Sequence, residues 1–170
     1  MKRIAQFFKV SEKEFISSMK EVSDKWSEEE LKEMYNNVQL PQRATRGSAG
    51  YDFYLPFALT LLPGDTFKIP TGIRVEIDQS WVLKLYPRSG LGFKYRLQLN
   101  NTVGIIDSDY FYSDNEGHIF AKITNDTNEG KTISLKEGDG FMQGIFLEYG
   151  ITVDDKANGI RNGGFGSTSK

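Results

Sequence analysis

The chain has 170 residues, 38% of them hydrophobic, which is enough for one domain with a substantial core and too few for two ordinary domains. Its formal charge is -2, from 21 Lys and Arg against 23 Asp and Glu, which offers no general electrostatic case for binding a nucleic acid polymer. There is no cysteine, so disulfides and thiolate chemistry are excluded. The sequence shows neither a signal-peptide pattern nor an apolar run approaching the ~18 residues of a membrane span. These features predict a soluble cytoplasmic protein without a membrane partner.

Two helices are predicted before Val38. Ser11 with Glu14, and Ser27 with Glu30, have the spacing of a capping box, in which serine and glutamate satisfy free backbone amides at a helix start. Each helix carries an apolar face, which is predicted to pack onto the main body. The alternative is that these helices, between residues 11 and 36, bind a protein partner.

From Val38 onward the pattern changes to short strands separated by Pro and Gly. Two segments, Leu59 to Ile69 and Ile133 to Ile145, each contain a Gly-Asp turn and predict β-hairpins. The further strand candidates are Thr71 to Ile77, Trp81 to Tyr86, His118 to Thr124 and Phe141 to Tyr149. A mostly β fold, either a sandwich or a barrel, follows.

Two segments suit phosphate oxygens. The last ten residues, Arg161 to Lys170, combine glycines, hydroxyl donors and positive charge around an isolated Phe165, and they predict a flexible tail that can close over a flat ligand. Tyr86 to Phe93 places an arginine, a serine and exposed amides at the end of a strand. Gly90-Leu91-Gly92 lacks the third glycine of a dinucleotide fingerprint, and no Walker loop is present.

The sequence lacks the residues for a zinc site of the usual ligands and gives little support for a serine triad. The single histidine, His118, lies in a strand candidate and is predicted to be structural, and without cysteine the usual zinc ligand sets cannot be assembled. A serine triad would also depend on His118, and no Gly-x-Ser-x-Gly elbow supports it. Serine-lysine chemistry stays open.

Asn101 to Tyr110 places one acid, Asp107, beside one aromatic ring at the end of an apolar strand. Taken alone, its Asp-Ser-Asp sequence is also an ordinary turn composition. Four other segments change that interpretation. In chain order the five segments are Ser48-Ala49-Gly50-Tyr51-Asp52, Pro87-Arg88-Ser89-Gly90, Gly104-Ile105-Ile106-Asp107-Ser108-Asp109-Tyr110, Gly138-Asp139 with Gln143, and Gly163-Gly164-Phe165-Gly166-Ser167-Thr168. Together they resemble the five motifs of trimeric dUTP pyrophosphatases (dUTPases).

The resemblance implies a jelly-roll-like β barrel over residues 38–158, preceded by a short N-terminal helical extension, residues 1–37. It also implies a homotrimer in which the tail, residues 159–170, closes over a site formed by the other two subunits. The implied reaction is attack of water on the α-phosphorus of dUTP, giving dUMP and pyrophosphate. The alternative is dCTP deamination, alone or followed by hydrolysis, on the same fold.

By the same resemblance, Asp107 is the catalytic carboxylate that deprotonates the water. Tyr110 lies against the deoxyribose and rejects a ribose 2′-hydroxyl. Asn101, with backbone groups of Gly104 and Ile106, forms a hairpin that reads the uracil edge.

The remaining implied residues contact phosphates or the base. Phe165 stacks on uracil, and Asp52 acts through water or by orienting a neighbour. Magnesium is held mainly by the substrate phosphates and waters, with no direct protein ligand. The implied phosphate-binding residues are Arg88, Ser89, Gly90 and Gln143 in the core and Arg161, Gly166, Ser167 and Thr168 in the tail.

Three features depart from the family pattern. Six residues, Phe111–Glu116, intervene between Tyr110 and the next glycine, where the family usually has one. In the fourth motif Gly140 stands where arginine is common, and Gly144 stands where a larger apolar residue is usual. Arg161 is one residue closer to the glycine pair than in the commonest spacing.

Overall fold

The computed structural model describes residues 1–161 and 163. Within them the chain forms mainly β-structure, with three α-helices and one 3-10 helix. The helices are α1 (Glu12–Val22), α2 (Glu28–Asn37), α3 (Ser89–Tyr95) and the 3-10 helix Ser108–Tyr112. The strands are β1 (Ala5–Lys9), β2 (Gln42–Arg43), β3 (Tyr51–Tyr54), β4 (Leu59–Leu61), β5 (Thr66–Pro70), β6 (Ile73–Ile77), β7 (Trp81–Pro87), β8 (Leu97–Leu99), β9 (Gly104–Ile106), β10 (Phe120–Asn125), β11 (Ile133–Leu135) and β12 (Gly140–Glu148).

The strands form four sheets, in the orders β1-β6, β5-β10-β8, β11-β4 and β2-β3-β12-β7-β9. A mostly β fold is therefore confirmed, but a closed barrel is not found among the described residues. Both predicted hairpins are wrong in one respect, because β4 and β5, and likewise β11 and β12, flank their turns without pairing with each other. β4 instead pairs with β11, so each turn is a corner that passes the chain from one sheet to another.

The two corners have the same construction. Asp65 N donates to the Leu62 carbonyl at 3.0 Å, and Leu62 N donates to the Asp65 carboxylate at 2.8 Å. At the second corner Asp139 N donates to the Lys136 carbonyl at 3.1 Å, and Lys136 N donates to the Asp139 carboxylate at 2.8 Å. A glycine with φ near +80° precedes each aspartate, a conformation that side chains other than glycine rarely adopt. The local turn chemistry was thus predictable, while the choice of pairing partner depended on the distant strands.

The first 37 residues contain the two predicted helices, but a separate helical extension is not confirmed. β1 pairs antiparallel with β6, so the segment begins as part of the β-structure. Phe15, Met19 and Leu31 are completely buried in the same hydrophobic core as the sheet residues. None of the helices in the described part of the chain is long and apolar enough to cross a membrane.

The helix starts differ in one detail. Ser27 and Glu30 form the complete capping box that their spacing predicts. Ser11 accepts from Glu14 N, but the Ser11 amide donates to Glu116 at 2.7 Å rather than to Glu14. A residue more than one hundred positions away therefore replaces the local capping partner.

The inserted segment Phe111–Glu116 forms a loop whose end, at Gly117, lies close to its beginning at Tyr110 and Phe111. Gly117 has a φ of +72°, and a Cβ atom there would lie 2.7 Å from both Phe111 Cα and the Tyr110 carbonyl oxygen. Arg74 on β6 donates to the Phe111 carbonyl at 2.7 Å, and its guanidinium lies 3.7 Å from the Phe111 ring centroid. The insertion is consequently a docked loop.

Candidate active site

Asp107 follows directly after β9 and is the N-cap residue of the 3-10 helix Ser108–Tyr112. Its Oδ2 atom lies 2.6 Å from Arg161 Nη2, while Asp109 Oδ1 lies 2.9 Å from Arg161 Nε. The two carboxylate side chains are about half exposed, at 45% and 55%, whereas Arg161 is 19% exposed. One guanidinium thus bridges two carboxylates, a charge-assisted arrangement that arginine geometry favours.

Tyr110 lies in the same helix, with its side chain buried. Its hydroxyl donates to the His118 carbonyl at 2.6 Å and accepts from Asn115 Nδ2 at 2.8 Å. Burial raises the pKa of Tyr110, although the Asn115 hydrogen bond and the Arg161 charge act in the opposite direction. The hydroxyl therefore stays protonated. The Arg161 guanidinium lies 5.9 Å from the ring centroid, on the side of Asp107 and Asp109.

Asn101 lies in the turn between β8 and β9. The predicted hairpin is corrected here, because β8 pairs with β10 and β9 with β7. Thr102 N donates to the Leu99 carbonyl at 2.8 Å, and Thr102 has a φ of +66°, which is strained for a β-branched residue. A cavity of about 490 Å³ beside this turn is lined by Lys68, Asn100, Asn101, Asn115, Phe120 and Lys122.

The implied base-reading backbone is firmly fixed. Gly104 pairs with Leu85 on β7, and a Cβ atom at Gly104 would lie 2.9 Å from the Leu85 side chain. Ile106 is buried at 1% exposure. Glycine is needed at this position because any larger residue would push β9 away from β7.

Arg88 directly follows β7 and is the N-cap residue of α3, with Ser89 and Gly90 exposed in the first turn. Its Nε atom lies 3.3 Å from Asp52 Oδ1. Gln143 on β12 pairs in register with Asp52 on β3, and its Nε2 atom donates to the Pro87 carbonyl at 3.3 Å. The structure thus brings together Arg88, Asp52 and Gln143, which belong to three separate motifs.

The glycines that depart from the family pattern make room for these contacts. A Cβ atom at Gly140 would lie 2.6 Å from Arg88 Nη1. One at Gly144 would lie 2.7 Å from Leu83 Cδ1. The lack of a side chain at Gly140 therefore leaves room for the Arg88 guanidinium, and Gly144 allows β12 to pack closely against the core.

The acid and the phosphate residues lie toward opposite ends of β7. Ile106, the residue before Asp107, is opposite Leu83, and Arg88 is five residues farther along the chain. Five residues of extended strand span about 17 Å. One chain therefore does not bring Arg88 to Asp107.

Several predicted residues lie outside the described part of the chain: Phe165, Gly166, Ser167 and Thr168. Of the tail residues assigned to phosphate binding, only Arg161 is described, and it contacts the carboxylates of Asp107 and Asp109. The described residues include no group of three or more His, Asp or Glu side chains that could hold a metal ion.

Sequence reasoning assigned no role to Asn115 or Glu116, and treated His118 only as structural. His118 is completely buried, its Nε2 accepts from Gly72 N at 2.9 Å, and its Nδ1 lies 3.1 Å from the Glu14 carboxylate. Burial lowers the pKa of His118, and the Glu14 contact offsets this only in part. These contacts join segments far apart in sequence, so no local signal could reveal them.

Comparison with known proteins identifies relatives of this chain. The dUTPase family model matches residues 36–169. The deoxyuridine 5′-triphosphate nucleotidohydrolase of Lactococcus lactis is 37% identical over 134 residues, covering 77% of this chain and 88% of the relative. That of Hahella chejuensis is 40% identical over 145 residues, covering 81% and 91%.

Solved structures show the same fold. The dUTPase of Streptococcus mutans aligns with a TM-score of 0.60 and 33% identity, covering 79% of this chain and 97% of that one. The dUTPase of Staphylococcus aureus phage phi11 aligns with a TM-score of 0.61 and 19% identity, covering 93% and 98%. From the family match, the sequence relatives and the arrangement of the first four motifs, the chain belongs to the dUTPase family.

Proposed function

We propose that this chain is a cytoplasmic enzyme that hydrolyses dUTP to dUMP and pyrophosphate, keeping uracil out of DNA and supplying dUMP for thymidylate synthesis. The observation that carries the proposal is the position of Asp107. Its half-exposed carboxylate directly follows β9, whose Ile106 is buried, and lies in the same turn as the buried ring of Tyr110. A base held in this way can orient a water molecule toward a phosphorus atom.

In the proposed reaction Asp107 accepts a proton from water as the water oxygen bonds to the α-phosphorus. The bond from that phosphorus to the oxygen bridging to the β-phosphate breaks, and pyrophosphate leaves. Arg161 contacts Asp107 within the chain described here, so this contact must be released before Asp107 can reach the water. Phe165 then stacks on uracil as the tail closes.

The active unit is proposed to be a homotrimer. Because Arg88 and Asp107 are separated along β7 by about 17 Å, a complete site needs the Arg88 end of a second copy. The tail, residues 159–170, is proposed to come from the third copy, so in the trimer Arg161 leaves Asp107 and Asp109 of its own chain and reaches a neighbouring site. This predicts complementation between two impaired variants, Asp107→Asn and Arg88→Ala, measured at a dUTP concentration well below KM, where each variant alone shows reduced activity.

Mixing equal amounts of the two variants after reversible dissociation should restore about one quarter of the wild-type sites. Each site takes Asp107 from one copy and Arg88 from another, and each of these residues is intact with a probability of about one half. Analytical ultracentrifugation measures the oligomer and pyrophosphate release measures the activity. A monomer with full activity, or mixed oligomers without recovery, would contradict the shared site.

Magnesium is the proposed cofactor. The carboxylates of Asp107 and Asp109 are exposed oxygen donors suited to a hydrated ion, while the triphosphate supplies the direct ligands. When bound, the ion neutralises phosphate charge and fixes the phosphate conformation. A structure of the phi11 phage dUTPase is described as showing the coordination of a structural Mg(II) ion in that protein.

Two alternatives receive less support. Deamination of dCTP needs an acid at the 4-position of the base, whereas the implied base-reading turn offers Asn101 and backbone groups. A protein partner bound through α1 and α2 is not favoured, because their apolar faces already pack into the core.

One assay separates these functions. Pyrophosphate and ammonia release are measured with dUTP, dCTP, dTTP and UTP at equal concentrations, with and without magnesium. We expect pyrophosphate from dUTP alone and only with magnesium. Ammonia release from dCTP would establish the deaminase alternative, and equal turnover of dUTP and UTP would remove the proposed role of Tyr110.

A further inference from the structure

The Tyr110 side chain is fixed through its hydroxyl, at the end remote from the backbone. The hydroxyl donates to the His118 carbonyl at 2.6 Å, and Asn115 Nδ2 donates to the same hydroxyl at 2.8 Å. Both partners follow the inserted segment or lie within it. A tyrosine anchored at both ends of its side chain cannot swing away from a bound sugar.

Asn115 is itself held by the return of the loop. Its Oδ1 atom accepts from Gly117 N at 3.2 Å, and its carbonyl accepts from His118 N at 3.0 Å. Asn115 therefore uses one side-chain atom to shape the turn and the other to contact Tyr110. A change that removes only the donor would leave the turn intact.

The loop is tied in turn to helix α1. Glu116 accepts from Ser11 N at 2.7 Å and from Ser11 Oγ at 2.6 Å, which caps the helix. Glu14, on the first turn of α1, lies 3.1 Å from His118 Nδ1. Glu116 also has a φ of +59°, a conformation that is held against its intrinsic preference.

The helices before Val38 and the long segment after Tyr110 thus contact each other through Ser11 and Glu116, and Asn115 of that segment bonds the Tyr110 hydroxyl. We infer that they form one brace for sugar selection, in which Asn115 and Glu116 are positioning residues that hold Tyr110 against the 2′ carbon of the substrate. The inference rests on the proposed dUTP hydrolysis and extends it to the discrimination between dUTP and UTP.

The test compares kcat/KM for dUTP and UTP in full-length variants. Asn115→Asp keeps the acceptor for Gly117 N and replaces the donor to Tyr110, so it should raise the UTP to dUTP ratio about tenfold. Glu116→Gln replaces the charged acceptor of two bonds from Ser11 with a neutral amide, which weakens the contact, and should raise the ratio about threefold. Asp114→Asn is the matched control for Glu116→Gln, because it makes the same carboxylate-to-amide change at an exposed position of the same loop.

A double-mutant cycle separates positioning from general loosening. In a Tyr110→Phe background there is no hydroxyl to hold, so Asn115→Asp should change the ratio no further. Thermal unfolding checks that each variant folds. Unchanged ratios in Asn115→Asp and Glu116→Gln, or an equal shift in the Tyr110→Phe background, would overturn the inference. A wild-type protein that does not hydrolyse dUTP would instead refute the proposed function.

Discussion

The acid end and the phosphate end of the candidate site are built in different ways. At the phosphate end, Arg88 has one ion pair of 3.3 Å to Asp52 and a side chain that is 45% exposed. At the acid end, Tyr110 is 3% exposed and its hydroxyl makes two hydrogen bonds shorter than 3 Å. The difference follows the task proposed for each end.

A group that meets a flexible, highly charged triphosphate gains from reach and long-range attraction, and it can remain exposed until the ligand arrives. A group that distinguishes two sugars by a single hydroxyl must not yield when the wrong sugar enters. Rigidity is therefore concentrated around Tyr110 and adaptability around Arg88.

The largest expected effect is at the acid end. Asp107→Asn preserves shape but removes the base, so kcat should fall by about 10²–10⁴-fold while dUTP binding is retained. Pyrophosphate release gives kcat, and isothermal titration with a non-hydrolysable analogue gives the affinity. Near-normal turnover in this variant would remove Asp107 from its proposed role.

At the phosphate end the expected loss is smaller and lies mainly in binding. Arg88→Ala removes charge-assisted hydrogen bonds of roughly 1.5–3 kcal/mol, so kcat/KM should fall about 10- to 100-fold. Arg88→Lys keeps the charge without the planar fork and should recover only part of this loss. If Arg88→Lys has full activity, the contact of residue 88 with the phosphates depends on charge alone and not on the planar guanidinium.

Gly117→Ala tests the return of the inserted loop. The added methyl group would meet backbone atoms 2.7 Å away at a φ of +72°, and we expect a loss of about 1–3 kcal/mol in the free energy of unfolding. Gly64→Ala is a useful control, since φ is also positive there but nothing lies within 4 Å. Urea unfolding should show a larger loss for Gly117→Ala than for Gly64→Ala.

The smallest effect concerns pH. Burial lowers the pKa of His118, so below about pH 6.5 the unfolded chain binds a proton that the folded chain resists. The free energy of unfolding should therefore decrease as the pH falls from 7.5 to 5.5, by at most about 1.4 kcal/mol per pH unit for one proton. The Glu14 and Glu116 carboxylates oppose this trend, and Lys68 reinforces it.

Urea titrations of the wild type and of His118→Gln measure that slope. Glu14 contributes at a lower pH: burial alone would raise its pKa, but hydrogen bonds from His118 and Ser18 outweigh burial and lower it. Identical slopes in the two proteins between pH 7.5 and 5.5 would show that His118 is not the titrating group.

The separate motifs revealed most of the candidate site because each is a short run whose residues must stay adjacent. Arg88, Asp52 and Gln143 were predicted because each belongs to one of these motifs. The register of β3 and β12 then places Gln143 opposite Asp52, which contacts Arg88. Ser27 with Glu30 was predictable for the same reason, since a capping box closes within one turn.

Long-range partners were not predictable in this way. The capping spacing of Ser11 pointed to Glu14, yet the Ser11 amide donates to Glu116, and Glu14 contacts His118 instead. The predicted hairpins failed because turn residues specify a change of direction, while pairing depends on which distant strand offers matching register and burial. The role of Asn115 likewise depends on a hydroxyl five residues away across a folded loop.

The Arg161 bridge changes how substrate binding should be regarded. The Arg161 guanidinium that binds the triphosphate is already paired with the carboxylates of Asp107 and Asp109 before the substrate arrives. Binding therefore exchanges one pair of opposite charges for another. Salt weakens the pair that is broken as well as the pair that is formed. The affinity for dUTP should consequently decline less steeply with ionic strength than the number of phosphate-binding side chains implies.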